Sequence, residues 1–407
     1  MGQSGGRCQH KTRLKTGSIC TGRSEARREP VKNCSPSRPT NLFTMILSQQ
    51  PPVPPLLDPT QFAGEVDGKA VALYVLRNAR GMVACITNYG AKIQQLMVPD
   101  RNGLLGDVVL GYDSLNAVRG GAPSVGAFIG RYAGRIDNAS FELGGNRYQL
   151  GINNGPHCLH GGVKGSRFRV FDAVQNNPSS VEMTCVFADG EEGFPGTLAL
   201  RLMYSLLDTN ELVLDYEGLA LDQATVASFT THAFFNLNGA ASGSILGHEV
   251  LIPSSQYLRC TEQLVATGEV LPVQGTPFDF REAAVLDTRV PWALPGYDDC
   301  YVVDRSGYEA QPSAMALCAR VRSPQSGRSM EVWSTELTLQ FFTGLKPQEA
   351  LTGGLGKGGQ RYFQQHGFCL EPQGYPNAPN LPNFPSTVYL PGQARQGRTS
   401  YRFLTSS

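Results

Sequence analysis

The sequence predicts an all-β protein, a large antiparallel β-sandwich, and three observations support this class. From about residue 62 onward, short runs of β-forming residues are separated by Gly, Asn, Asp and Pro. The chain holds 46 Gly and 27 Pro, which suits a fold with many tight turns. No segment of ten or more residues has both the periodicity of an amphipathic helix and helix-capping residues at its ends. Packed antiparallel sheets account for all three features.

The predicted strands extend over the chain beyond residue 62. In residues 181–187 and 198–204, apolar side chains alternate with others, so one face of each strand is expected to pack on a core. Residues 189–193 and 208–210 carry turn-forming residues beside such runs. No internal repeat or break appears, and residues 62–407 are therefore predicted to form one domain. The predicted strands include residues 70–76, 82–87, 181–187, 197–207, 211–221, 248–252, 314–321 and 330–342.

The first 44 residues differ from the rest in charge. They hold nine Lys and Arg against two Glu, whereas the whole chain has a formal net charge of +1, so the remainder carries about −6. A basic segment with few apolar residues cannot form a core, and residues 1–61, which include the Pro-rich lead-in around residues 51–55, are expected to be disordered. Two interpretations of this head stay open: an organelle transit segment, or a misassigned start with Met45 as the first residue.

Composition argues against several classes of function. A net charge of +1 gives no global field that would attract nucleic acid or an anionic membrane. No stretch approaches the roughly 20 apolar residues of a membrane span. The ten cysteines form no CxxC pair and the chain has no apolar secretory signal, which predicts reduced thiols and a cytoplasmic protein. A dinucleotide fingerprint after a strand, a P-loop and an HExxH motif are all missing from the sequence.

Histidine occurs in two suggestive places. Residues 153–162 place His157, Cys158 and His160 in a loop rich in Gly and Asn, where a ligand can approach the backbone closely. These three side chains are possible metal ligands, but no second cluster completes a four-ligand set, so no metal is predicted. His232 lies between polar and aromatic residues. Taken alone, such a histidine is more often a buried structural residue than a functional one.

Arginine and acidic side chains supply further candidates. Arg131 and Arg135 stand four residues apart among small residues, either as surface charges or as donors to hydroxyls and carboxylates. Asp298 and Asp299 follow a turn and begin an apolar strand. Glu371 follows an apolar run and precedes a proline. A lone acid at the end of such a run is costly unless it is paired or used in chemistry, which makes Glu371 the strongest single candidate.

Seven motifs in one order make the chain resemble the aldose 1-epimerase family. The resemblance covers about residues 62–404 and implies the large β-sandwich of that family, in agreement with the strand pattern. It also implies that residues 62–407 form a catalytic domain. The motifs are residues 130–136, 153–162, 189–196 (DGEEGFPG), 231–237, 296–301, 340–344 (QFFTG), and 367–373 together with 382–391 (PNFPSTVYLP).

The resemblance also implies an activity and a set of site residues. It implies an isomerase that interconverts the α and β anomers of free aldohexoses, such as glucose and galactose, without a cofactor. The family's general acid falls on His232 and its general base on Glu371. The family often has Asn where this chain has Gly134 and Thr231, and His where it has Asp299, and these differences bear on substrate preference. The implied sugar-binding residues are Gly134, Arg135, His160, Asp298 and Gln340.

The chemistry of ring opening suits these residue types. A proton must leave the anomeric hydroxyl while another reaches the ring oxygen, and a carboxylate and an imidazolium on opposite sides of the sugar can carry out both transfers. The expected partner is a small-molecule sugar, with no nucleic acid and no membrane, and the expected state is a monomer or weak dimer.

Three competing functions stay open. The first is a glycoside hydrolase that uses Asp298 and Glu371 as its carboxylate pair. The second is a non-catalytic sugar-binding paralogue, which would be expected to lack the acid or the base. The third is an epimerase of hexose 6-phosphates, in which Arg131 or Arg169 would hold the phosphate.

Overall fold

Strands dominate the structure, and the all-β prediction is confirmed: about 45% of the described residues are in strands and 9% in helices. The computed structural model describes residues 53–289, 296–307, 311, 313–345, 350 and 355–405. The basic head at residues 1–44, with the alternative start at Met45, lies outside the described residues. The structure below belongs to the unit that begins at Pro52.

The strands are numbered in chain order. The first fourteen are β1 (Gly64–Val66), β2 (Lys69–Val71), β3 (Leu73–Arg77), β4 (Val83–Thr87), β5 (Lys92–Pro99), β6 (Leu105–Asp107), β7 (Phe128–Ile129), β8 (Arg135–Ile136), β9 (Ser140–Leu143), β10 (Asn146–Gln149), β11 (Cys158–Leu159), β12 (Asp172–Asn177), β13 (Ser180–Phe187) and β14 (Leu198–Leu207). The others are β15 (Glu211–Ala220), β16 (Thr225–Val226), β17 (Thr230–Thr231), β18 (Glu249–Leu251), β19 (Gln256–Cys260), β20 (Ala266–Pro272), β21 (Ala284–Val285), β22 (Asp298–Val302), β23 (Ala316–Arg322), β24 (Arg328–Ser334), β25 (Thr338–Phe342), β26 (Cys369–Gln373), β27 (Val388–Tyr389) and β28 (Ala394–Thr405).

Helices are short throughout the described part of the chain. The two α-helices are α1 (Leu115–Gly120) and α2 (Leu286–Arg289). Across the described ranges, no helix has both the length and the apolar character that a membrane crossing requires. The 3₁₀ helices are Pro59–Phe62, Asp137–Ala139, Ser166–Phe168, Glu191–Gly193, Lys357–Gly359 and Ala378–Asn380.

Three antiparallel sheets enclose the main core. The largest has nine strands in the order β12-β13-β14-β15-β28-β24-β23-β18-β21, a second runs β20-β19-β22-β25-β26, and a third runs β3-β4-β5-β6. One continuous cluster of buried side chains joins Tyr204 and Tyr401 of the nine-stranded sheet, Phe341 of the five-stranded sheet, and Ile86 and Leu96 of the four-stranded sheet. The predicted large antiparallel β-sandwich is thus confirmed.

The hairpin of β14 and β15 shows how local sequence forms the large sheet. Every second side chain of β14 is buried, as its alternating pattern predicts. The predicted turn at residues 208–210 joins the two strands, and Asn210 has the positive φ of 62° that asparagine tolerates. On the outer face, ion pairs link Arg201 to Glu182 of β13 and Arg398 of β28 to Asp215. Charged pairs therefore keep the outer face of this sheet solvated while its inner face packs.

Two predicted strands are each divided in the structure. Residues 330–342 form β24 and β25, because the chain leaves the nine-stranded sheet after Ser334 and enters the five-stranded sheet at Thr338. The sequence there is continuously β-forming, so the change of layer leaves no break in the pattern. Residues 70–76 divide at Ala72, whose N–H donates to the Asn88 side chain (2.9 Å) instead of a neighbouring strand.

The end of the Pro-rich lead-in packs on β5. The backbone N–H of Leu57 donates to Gln95 Oε1 (3.0 Å), and Gln95 Nε2 donates to the carbonyl of Pro55 (3.0 Å). Phe62 is fully buried in the cluster that includes Tyr112 and Leu115. Residues 55–62 thus belong to the packed structure rather than to a free linker.

His248 is a buried histidine whose two ring nitrogens both have backbone partners. Its Nδ1 lies 2.8 Å from the carbonyl of Ile245, and the N–H of Leu237 donates to Nε2 (3.1 Å). Burial lowers the pKa of this imidazole to about 4, from an ordinary value near 6.5. Between these two values the unfolded chain binds a proton that the folded chain does not, so the free energy of unfolding falls as the pH drops.

We therefore expect His248→Gln to remove part of the acid sensitivity of the fold. Between about pH 6 and 4.5, the slope of the free energy of unfolding against pH should decrease by about 1.4 kcal/mol per pH unit, the value for one proton. Urea unfolding at a series of pH values measures both slopes. Equal slopes for the wild type and the variant would contradict the buried neutral imidazole.

Candidate active site

Strand β26 carries the carboxyl group that the sequence singles out. Alternation along this strand directs Leu370 into the main core, while Cys369, Glu371 and Gln373 lie on the opposite face. Glu371 stands within the strand, not after its end as the sequence suggested, and only 2% of its surface is exposed. Because β26 is the edge strand of its sheet, a proline directly after Glu371 is tolerated.

Neighbouring strands place two further groups in register with Glu371. Gln340 of β25 pairs with Glu371, and Cys300 of β22 pairs with Gln340. Residues opposite each other in antiparallel strands point to the same face of the sheet. The row Cys300, Gln340 and Glu371 therefore lines one wall of a cleft.

His232 reaches the same cleft from the end of β17. Its backbone is held by two hydrogen bonds, from its own N–H to the carbonyl of Ala127 (2.8 Å) and from the N–H of Gly126 to its carbonyl (3.0 Å). The imidazole stacks on Phe234, with ring centroids 5.0 Å apart, and meets the edge of Phe342 at 6.2 Å. Its Nε2 lies 3.6 Å from Oε1 of Glu371. The predicted acid and base thus face each other directly.

His160 stands beside His232, with ring centroids 5.5 Å apart. Its backbone has a positive φ of 54°, and its loop is tied to Gly134 by two hydrogen bonds. The N–H of His160 donates to the carbonyl of Gly134 (3.1 Å), and the N–H of Gly134 donates to Nδ1 of His160 (3.3 Å). Because Nδ1 accepts, the ring hydrogen of neutral His160 lies on Nε2. Burial, and then the nearby His232, lower the pKa of His160 well below its usual value.

Gly134 has a conformational reason to be glycine. Its φ is +77°, and an added Cβ would lie only 3.1 Å from Cβ of Pro376. An Asn at this position, as the related motif often has, would therefore require Pro376 to shift. Because Gly134 has no side chain, its backbone forms this part of the cleft wall.

Arg135, Asp298 and Gln340 form a polar group in the lining of the cleft. Gln340 Nε2 donates to Oδ1 of Asp298 (2.7 Å), and Nη1 of Arg135 lies 4.0 Å from Oδ2 of the same carboxyl. Nε of Arg135 donates to Asn154 of the predicted Gly- and Asn-rich loop (2.9 Å). Burial raises the pKa of Asp298, while Arg135 and Gln340 act in the opposite direction. These groups offer directional donors and acceptors of the kind that sugar hydroxyls require.

Burial drives Glu371 and His232 toward their uncharged forms. It raises the pKa of Glu371 well above its usual range, and the charge of Asp298 adds to this effect. It lowers the pKa of His232 to about 4, although a hydrogen bond of the ring to its own backbone acts in the opposite direction. Both shifts favour the uncharged pair, in which one proton stays on the carboxyl group and the imidazole is neutral.

All seven site residues that the family resemblance implied line one cleft, with a volume of about 270 Å³. The apolar wall and rim of the cleft were not predicted from the sequence, because the identity of a single aromatic residue or alanine does not show whether it lines a cleft or packs in the core. Asp299 follows Asp298 but lies outside this lining, and burial together with Asp298 raises its pKa to about 7. The lining residues that were not anticipated include Ala122, Pro123, Ser124, Val125, Phe234, Cys260, Leu264 and Phe342.

The three side chains considered as metal ligands do not converge. His157 Nε2 lies 2.7 Å from Gln263 Oε1, and Cys158 is buried in an apolar cluster with Phe141. Within the described ranges, one set of possible ligand atoms lies within 4.8 Å of one another, on His232, Cys369 and Glu371. The thiol lies beside Nδ1 of that imidazole and the carboxyl beside Nε2. A single ion binds only one nitrogen of a ring, so this arrangement does not suit a three-ligand metal site.

Comparison with known proteins shows the family to which the chain belongs. The family model and the named relatives show that the chain is an isomerase of the epimerase class. The chain belongs to the aldose 1-epimerase family, whose sequence model matches residues 72–402. The resemblance found in the sequence is thus confirmed.

Named relatives cover most of the chain. Galactose mutarotase of Bos taurus is 41% identical over 324 residues, which cover 78% of this chain and 90% of the relative. Aldose 1-epimerase of Escherichia coli is 30% identical over 345 residues, covering 83% of this chain and 96% of the relative. The crystal structure of the GalM/aldose epimerase homologue from C. elegans matches with a TM-score of 0.76 at 27% identity, covering 83% of this chain and all of that one.

Proposed function

We propose that this enzyme interconverts the α and β anomers of free aldohexoses such as glucose and galactose, with Glu371 as general base and His232 as general acid. The observation that carries the proposal is the 3.6 Å approach of His232 Nε2 to Glu371 Oε1 at the wall of a cleft that also holds polar side chains. The names of the bovine and bacterial relatives, galactose mutarotase and aldose 1-epimerase, support a sugar substrate.

Ring opening would proceed by two proton transfers with the anomeric centre of a sugar bound in the cleft beside the two groups, whose separation of 3.6 Å lets one serve the anomeric hydroxyl and the other the ring oxygen. The Glu371 carboxylate takes the proton of the anomeric hydroxyl, and the C1–O bond to the ring oxygen breaks as His232 delivers a proton to that oxygen. The product is an open-chain aldehyde, with a neutral carboxylic acid and a neutral imidazole. Rotation about C1–C2 presents the other carbonyl face, and the reverse transfers close the ring as the opposite anomer.

Burial of the pair favours the open-chain state. Ring opening converts a carboxylate and an imidazolium into two uncharged groups, and a site that excludes water penalises the charged forms. The same burial that raises the pKa of Glu371 and lowers that of His232 therefore acts in the direction of ring opening. No electron or group is transferred in these steps, so the proposed reaction needs no cofactor.

Sugar hydroxyls would be held by the polar group around Asp298. Arg135 and Gln340 supply N–H donors, the Asp298 carboxyl accepts, and the Nε2–H of neutral His160 donates beside the reacting pair. The rings of Phe234 and Phe342 line the cleft next to His232. An apolar wall with a few convergent polar groups is the usual composition of a small-molecule site.

An epimerase of hexose 6-phosphates has little support in this cleft. The sequence left Arg131 and Arg169 as possible phosphate ligands. Arg131 is buried and donates to the carbonyl of Pro195 (2.7 Å), while Arg169 pairs with Glu191 (2.9 Å), and neither lines the cleft. In the part of the chain that the structure describes, Arg135 alone brings a positive charge to the cleft lining.

A glycoside hydrolase and a non-catalytic sugar-binding protein would each leave part of the site unexplained. A hydrolase built on Asp298 and Glu371 would give His232 no part in the reaction, although it stands 3.6 Å from the carboxyl. A non-catalytic sugar-binding protein has no need for a buried acid and base in direct opposition. Either alternative would use the polar group around Asp298, but neither would explain why His232 and Glu371 are buried next to each other.

Polarimetry on freshly dissolved sugars tests the proposal. Purified protein is expected to accelerate the approach of α-D-glucose and α-D-galactose to anomeric equilibrium well above the buffer rate. Glucose 6-phosphate, tested in parallel by the same method, should be accelerated at least tenfold less, because a single arginine must serve both the phosphate and the hydroxyls. Buffer rates for both free sugars would reject the proposed function, and preference for the phosphate would support an epimerase of hexose 6-phosphates.

We also propose a cytoplasmic location, with residues 62–407 as the catalytic domain and a monomer or weak dimer as the state in solution. Seven cysteines, at positions 85, 158, 185, 260, 300, 318 and 369, are free thiols. Free buried thiols are typical of reducing compartments. Size-exclusion chromatography with light scattering tests the proposed oligomeric state.

A further inference from the structure

A thiol, an imidazole and a carboxyl group lie in sequence at the cleft wall. Sγ of Cys369 is 3.4 Å from Nδ1 of His232, and Nε2 of the same ring is 3.6 Å from Oε1 of Glu371. Cys369 and Glu371 are two residues apart on β26 and therefore point to the same face. One strand thus contacts both nitrogens of the imidazole.

The proposed reaction distinguishes these two nitrogens. Only Nε2 faces Glu371 and the cleft, so it must carry the labile proton in the acid form and a free lone pair in the open-chain state. Nδ1 must then keep its hydrogen throughout the cycle. In a neutral imidazole, the partner of one nitrogen decides which tautomer forms.

We propose that Cys369 is a positioning residue whose sulfur accepts a hydrogen bond from Nδ1–H of His232 and so keeps the exchangeable site on Nε2. A sulfur 3.4 Å from a ring nitrogen is at the distance of an N–H···S contact. Stacking on Phe234 restrains the plane of the ring, and the sulfur restrains its rotation within that plane. Any effect of Cys369 on the reaction rate rests on the proposed function, whereas its effect on the tautomer of His232 does not.

An uncharged acceptor suits this position better than a carboxylate. Burial and the charge of Glu371 raise the pKa of the Cys369 thiol well above its usual value, so the sulfur stays protonated and neutral. A carboxylate at Nδ1 would stabilise the imidazolium and oppose proton donation to the sugar. Sulfur, a weak acceptor, orients the ring without fixing its charge.

Nitrogen NMR of the full chain labelled with ¹⁵N-histidine tests the tautomer directly. At neutral pH, His232 of the wild type and of Cys369→Ser should show a protonated Nδ1 and an unprotonated Nε2, with the signal identified by its loss in His232→Gln. Cys369→Ala should show a mixture of both tautomers. A hydrogen on Nε2 in the wild type, or an unchanged tautomer in Cys369→Ala, would overturn the proposal.

Kinetics test the consequence of the tautomer. Loss of one hydrogen bond to the ring is expected to lower kcat of Cys369→Ala about fivefold, with KM within about twofold of the wild type. Cys369→Ser should recover most of the loss, and the control Cys318→Ala, which removes a buried core thiol, should keep the wild-type kcat. Failure of serine to rescue would indicate a purely packing role. Absence of mutarotation in the wild type would reject the proposed function, while the NMR result would still decide the role of Cys369.

Discussion

Glu371→Gln is expected to lower kcat for anomer interconversion by about 10³-fold, within the range typical for loss of a general base. The amide has nearly the shape of the carboxyl but cannot accept the anomeric proton. Sugar affinity should stay within about threefold of the wild type, because the groups around Asp298 hold the other hydroxyls. Polarimetry measures the turnover, and isothermal titration calorimetry with galactose measures the binding.

Glu331→Gln is the matched control for this variant. Glu331 is also a buried glutamate on a strand, but it pairs with Arg320 in the nine-stranded sheet, outside the cleft. Its replacement should leave kcat within about twofold, since it touches no reacting group. Turnover of Glu371→Gln above a tenth of the wild-type value would remove Glu371 from its assigned role.

His232→Gln is expected to lower kcat by about 10²- to 10³-fold, since the ring oxygen would lose its proton donor. His248→Gln is the control, because His248 is an equally buried imidazole with backbone partners only, outside the cleft. That variant should change the free energy of unfolding and leave kcat unchanged. A large change in unfolding temperature for His232→Gln, with turnover retained, would instead make His232 a structural residue.

The double variant His232→Gln with Glu371→Gln is expected to be little worse than the poorer of the single variants. Acid and base act in one coupled proton transfer, so once either is missing the other contributes little. If the two losses in activation free energy were additive, kcat would fall by about 10⁵–10⁶-fold, and this would indicate two independent steps. The same polarimetric assay decides between these outcomes.

Local patterns predicted the fold well wherever one face of a strand is buried. The alternation of residues 181–187 and 198–204 falls in β13 and β14, and the turn at residues 208–210 is present. The pattern failed at residues 335–337, where the chain passes from one sheet to another. Both strands there are apolar on one face, and alternation describes a face but not the sheet to which it belongs.

For the site, the sequence supplied candidates but not their geometry. His232 and Glu371 are far apart in the chain, and only the packing of β17 against β26 brings them together. The sequence predicted only that the cysteines are reduced thiols, although the spacing of two between Cys369 and Glu371 puts both on one face of a strand. This spacing is visible in the sequence, but it implies a shared face only if Glu371 is known to lie within the strand. The cleft rim at residues 122–125 had no signal at all.

The site residues on strands and the rim residues on loops differ in how easily they can change during evolution. The proposed proton-transfer groups, His232 and Glu371, lie on or directly beside paired strands of the core, while residues 122–125 and Leu264 approach the cleft from connecting loops. Loops accept insertions and substitutions at low cost in stability. New sugar preferences are therefore accessible through changes in the rim, with the ring-opening chemistry inherited intact on the sheet.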